Sequence, residues 1–234
     1  CRRQRQMCIR DRLEKIEMSE LTQAQIKITP FKISRFQIAI KGLSPLVMHA
    51  WSEKAKAMVR MTPTERKKLP KEERTPEETA NECAYRCDDG SFGLPIDAFK
   101  KAVTSAAHTD DGVAKTVIRK ALFVLPHDKS GNVPLVYDSE PVVTEDKVTV
   151  GRGATDLRYR LYFHDWSAVF TIDIDTTQLN VQDVVTLVQR AGYGVGIGDW
   201  RPQRDGDKGR FEVDTTQGIK ELDMVTNEVV SEVV

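Results

Sequence analysis

Apolar residues along this chain recur with two periods, each marking a different kind of element. Residues 31–40, FKISRFQIAI, set Phe36, Ile38 and Ile40 two apart, the alternation of a half-buried strand. That strand runs into Gly42-Leu43-Ser44-Pro45-Leu46-Val47-Met48-His49. Residues 156–163 alternate again, with Leu157, Tyr159, Leu161 and Phe163 on one side and Arg158, Arg160 and Tyr162 on the other. Residues 167–174, SAVFTIDI, give the clearest strand, with Phe170, Ile172 and Ile174 opposite Val169, Thr171 and Asp173. Shorter strands are predicted at ALFVL, at VPLVY and at 210–213. ECAYRC-DDG-SFGLP reads as a hairpin turning at Asp89-Gly90.

Helical spacing predicts two amphipathic helices. One follows Pro95-Ile96-Asp97, with Asp97 as N-cap and Phe99, Val103 and Ala106 facing inward. The other is NVQDVVTLVQRAG, with Asn180 as N-cap, Val181, Val184, Val185 and Val188 on one face, and Gly192 as C-cap. The segment 51–82 is charged and broken at Pro63, Pro70 and Pro76, which fits a helical surface insertion. Residues 127–162 read as strands and long loops. The tail, 214–234, is acidic, and Ile219, Leu222, Val225 and Val229 give it weak helical spacing. The fold class is therefore α+β, with one domain over 18–213 and insertions at 51–82 and 127–162.

Residues 1–12, CRRQRQMCIRDR, carry neither apolar periodicity nor cap nor turn chemistry. They look like a translated sequencing-adapter fragment, so 1–17 reads as a non-native leader and Met18 as the natural start. The exclusion alters the charge. The whole chain balances 35 basic against 35 acidic residues. Without the five arginines and one aspartate of residues 1–12, thirty bases face thirty-four acids, a net of −4. Such a chain does not coat nucleic acid by bulk charge, and any phosphate contact must come from a local basic patch. No apolar run reaches the ~20 residues that span a bilayer, and no secretory pattern is present, so the chain reads as soluble and cytoplasmic, with no membrane partner.

Four sets of residues are candidates for chemistry. The first lies in the unit 167–213, where Gly194, Gly196 and Gly198 lead into DWRPQRDGDKGRFEV. Closely spaced glycines let backbone N–H groups approach phosphate oxygens, and Trp200 with Arg201, Arg204, Lys208 and Arg210 supplies a stacking face among cations. The second is the start of the first helix, where Lys100 and Lys101 flank free N–H groups. The third is the strand DLRYRLYF with its preceding loop, giving Arg152, Arg158 and Arg160 beside Tyr159 and Tyr162. The fourth is His49, a general base beside a bound phosphodiester with Tyr159 or Lys100 as helper. Each has a plain structural counterpart: a surface hairpin, a solvated helix face, a half-exposed strand with its arginines toward water, and a lone histidine. His49, His108, His127 and His164 show no metal-ligand spacing, Cys83 and Cys87 act as small apolar residues on one face if 82–87 is a strand, and nothing calls for a metal or cofactor.

Three stretches together resemble the RAMP superfamily of CRISPR systems. FQIAIKGLSPLVMH is similar to that family's opening strand, and GLPIDAFKKA at 93–102 to its Ile-Pro-Gly-Ser-Ser-Leu-Lys-Gly-Ala helix start. Gly196–Phe211, by its place in the chain, corresponds to the family's final glycine-rich loop and strand. The resemblance implies an RRM-like or ferredoxin-like antiparallel sheet with helices on one face. It is strongest to the backbone subunits that polymerise along guide RNA, with 135–162 as the long hairpin covering the strand. Lys100, Arg201, Arg204 and Lys208 fall within the matching motifs. Asp199, Asp205 and Asp207, the acidic tail and the 51–82 insertion depart from the family pattern. The segments GLPIDAFK and VGIGDWRP also resemble stretches of phage and prophage proteins, which implies a role in phage DNA replication, recombination or counter-defence.

The leading expectation is a non-catalytic subunit that binds single-stranded RNA or DNA without sequence preference and self-associates into a helical or filamentous oligomer. The alternatives are a metal-independent RAMP-type endoribonuclease using His49, and a phage structural or interaction protein that meets other effector or phage proteins.

Overall fold

Two of the alternating stretches in the sequence become neighbouring strands, β1 (Ile33–Gly42) and β8 (Trp166–Asp175). Their antiparallel register pairs Phe36 with Ile172 and Ile38 with Phe170, so the two apolar sets share one face. On the other face Arg35 meets Asp173 at 2.7 Å. The computed structural model describes residues 30–66, 75–107, 113–150 and 153–232. The chain divides by contact into residues 1–31 and 32–234, and all the helices and strands among the described residues belong to the second unit. The leader expected at 1–17 and Arg152 lie outside the described residues.

The apolar face of the sheet is covered by α4 (Ile96–Ala106) and α6 (Val181–Arg190), whose Phe99, Val103, Val184, Leu187 and Val188 are buried with the strand residues. Phe99 stacks on Phe170 with ring centroids 4.9 Å apart. Each such buried aromatic or aliphatic side chain contributes roughly 1.5–3 kcal/mol. Between β1 and α4 the chain forms β2 (Leu46–Met48), α1 (Glu53–Arg60), α2 (Pro63–Arg66), α3 (Pro76–Glu82) and β3 (Gly93–Pro95). After α4 come α5 (Lys115–Ala121), β4 (Leu122–Leu125), β5 (Asn132–Tyr137), β6 (Val142–Val150) and β7 (Ala154–Phe163). Beyond α6 lie β9 (Phe211–Val213), β10 (Ile219–Leu222) and β11 (Val229–Glu232).

The main sheet runs β11-β10-β1-β8-β5-β3, with β9 also on β1 and β4 also on β8. The series β1, α4, β4, β8, α6, β9 is a βαββαβ unit, and its strands stand in the order β9-β1-β8-β4. That is the ferredoxin-like arrangement. A second sheet, β2-β7-β6, carries the long hairpin, in register from Val142↔Tyr162 to Val150↔Ala154. The capping box of Thr75 and Glu78 starts α3, which packs on this hairpin and buries Ala80.

Several local expectations are corrected. α4 begins one residue before Asp97, with Pro95 at the N-cap position and no side-chain cap; Asp97 instead pairs with Lys101 at 3.1 Å. Helix α6 runs through Gly192 into a π-turn, Ala191–Val195, that ends at Gly196, so Gly192 is no C-cap. Residues 82–87 are a helix end and a turn with one bridge, Arg86↔Phe92, rather than a strand. The tail is not helical. β10 pairs Ile219 with Ile38 and completes the sheet, because turns at 215–217 and 224–226 cut the segment into strand lengths. Among the described residues no helix is long and apolar enough to cross a membrane.

Candidate nucleic-acid interface

Strand β2 is three residues long, yet it sets the geometry of the site. It pairs with β7 so that Met48 lies opposite Leu161, which brings His49 up against the arginine side of that strand. On the other flank of β7, Thr144 of β6 lies opposite Arg160. Alternation puts Arg158, Arg160 and Tyr162 on the polar side of β7, but α3 packs on that hairpin and Arg160 is only 3% exposed.

A buried guanidinium needs compensation from carboxylates. Arg160 has it twice: Nη1 donates to Asp146 at 3.1 Å, and Nη2 reaches Asp199 at 3.2 Å. Tyr162 also donates to Asp146, at 3.3 Å. Asp199 belongs to the loop 196–209, so the pair ties that loop to the hairpin. Arg160 Nε and His49 Nδ1 are buried with no hydrogen-bond partner among the described residues, and both fall in this one polar row.

The loop 196–209 is held by its own backbone. Ile197 N–H donates to Gly209, Asp199 N–H to Val47, Lys208 N–H to Trp200 and Gly209 N–H to Pro45. The glycines serve that close packing. Gly209 has φ 64°, and a Cβ there would stand 1.8 Å from the Ile197 carbonyl oxygen. The phosphate cradle expected from the glycine spacing is therefore not formed, because these N–H groups already have carbonyl partners.

Trp200 caps the arrangement. It is 42% exposed, its backbone is left-handed at φ 55°, and the Arg160 guanidinium carbon lies 5.9 Å from its ring centroid. Beside it opens a cleft of about 380 Å³ between β2, the first half of α4 and the loop. His49, Tyr85, Lys101, Asp199, Arg201 and Gln203 are among the residues that line it. Burial, then the Arg160 charge, pushes the His49 imidazole below its ordinary range, which favours the neutral ring. His49 Nε2 is 3.3 Å from Arg158 Nη1. Burial followed by the charge of Asp199 raises the Tyr85 phenol.

The structure gathers some of the candidates and separates others. Lys101, Arg158, Arg160, Trp200 and Arg201 cluster with His49 on or behind the cleft wall. Arg201 points Nη1 at the Gly198 carbonyl oxygen at 2.9 Å and has no carboxylate partner among the described residues. Arg204 ends the short 3-10 turn, exposed and without an acidic partner among those residues. Lys208 is 3.3 Å from Asp207, and Arg158 is 3.5 Å from Asp156. Lys100 turns to the other flank of α4, where Nζ lies 4.0 Å over the Phe123 ring. Arg210 stacks on Tyr193 at 4.7 Å. Neither helper expected for His49 reaches it, since Lys100 is on Phe123 and the Tyr159 hydroxyl is engaged by Glu145. Among the described residues no group of His, Cys, Asp and Glu is arranged to hold a metal ion. Sequence reasoning missed Tyr85, Gln203 and the bridging carboxylates Asp146 and Asp199. Asp146 was open to inference, because strand alternation puts it on the same face of β6 as Thr144, opposite Arg158 and Arg160.

No protein-family model matches the chain, and no curated protein matches its sequence. Solved structures do. Cmr6 from Pyrococcus furiosus is 9% identical, with a TM-score of 0.41 over 78% of this chain and 98% of that one. A chain of the Type III-B Cmr-beta complex bound to cognate target RNA is 10% identical, with a TM-score of 0.42 over 93% of this chain and 66% of its own. A chain of a CRISPR RNA-guided surveillance complex is 10% identical, with a TM-score of 0.34 over 80% and 68%.

Proposed function

We propose that this chain binds single-stranded nucleic acid, RNA in the first instance, along the lip of the cleft between α4 and the loop 196–209. It does so as a non-catalytic subunit that associates with copies of itself. The observation that carries the reading is Trp200, an exposed indole held in a left-handed backbone above a buried arginine. A bulky residue in that conformation costs about 1–2 kcal/mol, and such strain concentrates at functional positions. A base stacked on an aromatic face contributes about 1–3 kcal/mol whatever the base, which gives binding without sequence preference. Arg201 and Arg204 lie next to the indole in the chain and meet the backbone phosphates. Lys101 and Lys208 each have an aspartate within ion-pair distance, so stacking outweighs charge in this site.

Fluorescence anisotropy with labelled single strands of differing sequence tests the proposal. Trp200→Ala and Arg201→Ala weaken binding to all of them, and Lys100→Ala, on the other flank of α4, leaves it unchanged. Full affinity in Trp200→Ala overturns the reading. A ribonuclease is the second reading, favoured by one observation: His49 lines the cleft with its ring held toward the neutral form. It requires cleavage of hairpin RNA that disappears in His49→Ala.

A further inference from the structure

The cleft beside Trp200 shares a wall with a second hollow. Tyr85, which follows α3 in the chain, lines both the cleft and a space of about 550 Å³ bordered by α1, the end of α3 and the start of β5. Trp51, Lys56, Arg86 and Asn132 also line that space. The Tyr85 phenol, raised first by burial, feels Asp199 and Lys101 from the cleft and Lys56 from the hollow. The backbone makes the same passage: His49 lines the cleft, and Trp51, two residues on and so about 7 Å away, lines the hollow.

Trp51 is tied on both sides in its backbone and open in its side chain. Ala50 is buried, and its N–H donates to the Cys83 carbonyl oxygen at 2.6 Å. The Ser52 hydroxyl accepts from Ala55 N–H at 3.2 Å as the N-cap of α1. The indole between them is 63% exposed. A large apolar residue just before an N-cap ordinarily packs on the fourth helical residue as a hydrophobic staple. Here that residue is Lys56, whose amine pairs with Glu53 at 2.6 Å, so the usual apolar partner is missing. The polar part of the wall is held in place. Arg86 donates to the Gly90 carbonyl oxygen at 2.8 Å and to Asn81 at 3.1 Å, and the Asn132 amide donates to the Arg86 carbonyl oxygen at 2.8 Å.

We propose that Trp51 is a second stacking platform for the same single strand, which runs from Trp200 through the cleft and past Tyr85 into the hollow. This rests on the nucleic-acid reading of the cleft and adds a length to it: one base stacks on each indole, and the nucleotides between them cross the cleft. It also gives the insertion at 51–82 a part in binding. The hollow supplies stacking rather than charge, because Lys56 is paired with Glu53 and the Arg86 guanidinium is engaged by Gly90 and Asn81.

The experiment is fluorescence anisotropy with labelled single strands of about 4 to 16 nucleotides, the span of single-domain sites. Wild-type affinity rises with length and levels off once both indoles are covered. Trp51→Ala loses at least fivefold on the longest strands, the effect of one stacked base. It keeps wild-type affinity for the shortest, which the cleft holds alone, and its circular dichroism and salt slope are unchanged. Trp51→Phe, which keeps a flat ring, retains most of the affinity at every length. Wild-type affinity of Trp51→Ala for the longest strands, with Trp200→Ala impaired, overturns this proposal and leaves the cleft reading standing. An equal loss at every length overturns it too, because Trp51 then supports the cleft and holds no second base. An unimpaired Trp200→Ala removes the cleft reading and this proposal with it.

Discussion

Arg160 and Asp199 join two segments that the sequence keeps 39 positions apart, Nη2 to Oδ2 at 3.2 Å, with the arginine 3% exposed. The same guanidinium holds Asp146, so one buried cation fixes the loop bearing Trp200 to the long hairpin. Arg160→Met is expected to destabilise the fold by about 3–5 kcal/mol, because it leaves a carboxylate buried without its counter-ion. Arg160→Met/Asp146→Asn recovers most of that loss. Urea denaturation of both variants measures the difference, and equal stabilities would show that Asp146 is not the group left uncompensated.

The strain at Trp200 predicts opposite effects on stability and binding. Trp200→Gly removes a side chain at φ 55° and is expected to raise stability by about 1 kcal/mol. It also removes the stacking face and weakens oligonucleotide binding by at least fivefold, from the ~1–3 kcal/mol of one stacked base. Thermal melts and anisotropy on the same preparation read both. A loss of stability would mean that the indole packs structurally.

Salt dependence is expected to be shallow. Arg201 and Arg204 have no acidic partner among the described residues, whereas Lys101 and Lys208 do. Two phosphate contacts on a single strand give a slope of log affinity against log salt of about −1.4. Arg201→Ala halves it. A slope several times steeper would place the strand on a different, more basic surface.

Stability is expected to fall as pH drops below the ordinary histidine value of 6.5 toward the lowered value of His49. Across that window the unfolded chain takes up a proton that the folded one resists, and above it neither form is charged, so acid favours unfolding. His49→Gln removes this component. Denaturation midpoints between pH 5 and 8 for both proteins check it, and identical pH profiles would contradict the buried, neutral ring.

The ferredoxin-like core was legible because β1, β8 and α6 alternate or cycle without interruption, and periodicity reports which face a residue occupies. It does not report what covers that face. Arg160 shares a side with Arg158, and only the packing of α3 and the loop 196–209 makes one buried and leaves the other partly exposed. The glycines of 196–209 misled for a related reason: the same spacing serves a phosphate cradle and a loop whose N–H groups bond to carbonyls. Lys100 and Lys101 form one candidate set in the sequence, although adjacent helical positions diverge by about 100°, and the structure sends one to Phe123 and the other to the cleft. In the tail, Ile219 and Leu222 fit a helical period by coincidence of two short strands.

Trp200 as the stacking platform is tested most directly by its own fluorescence. In Trp51→Phe, which leaves Trp200 and the buried Trp166, titration with a single strand is expected to quench the emission to a saturating level. Adding Trp200→Phe is expected to abolish the quench. No quench, or an equal quench without Trp200, would contradict the account.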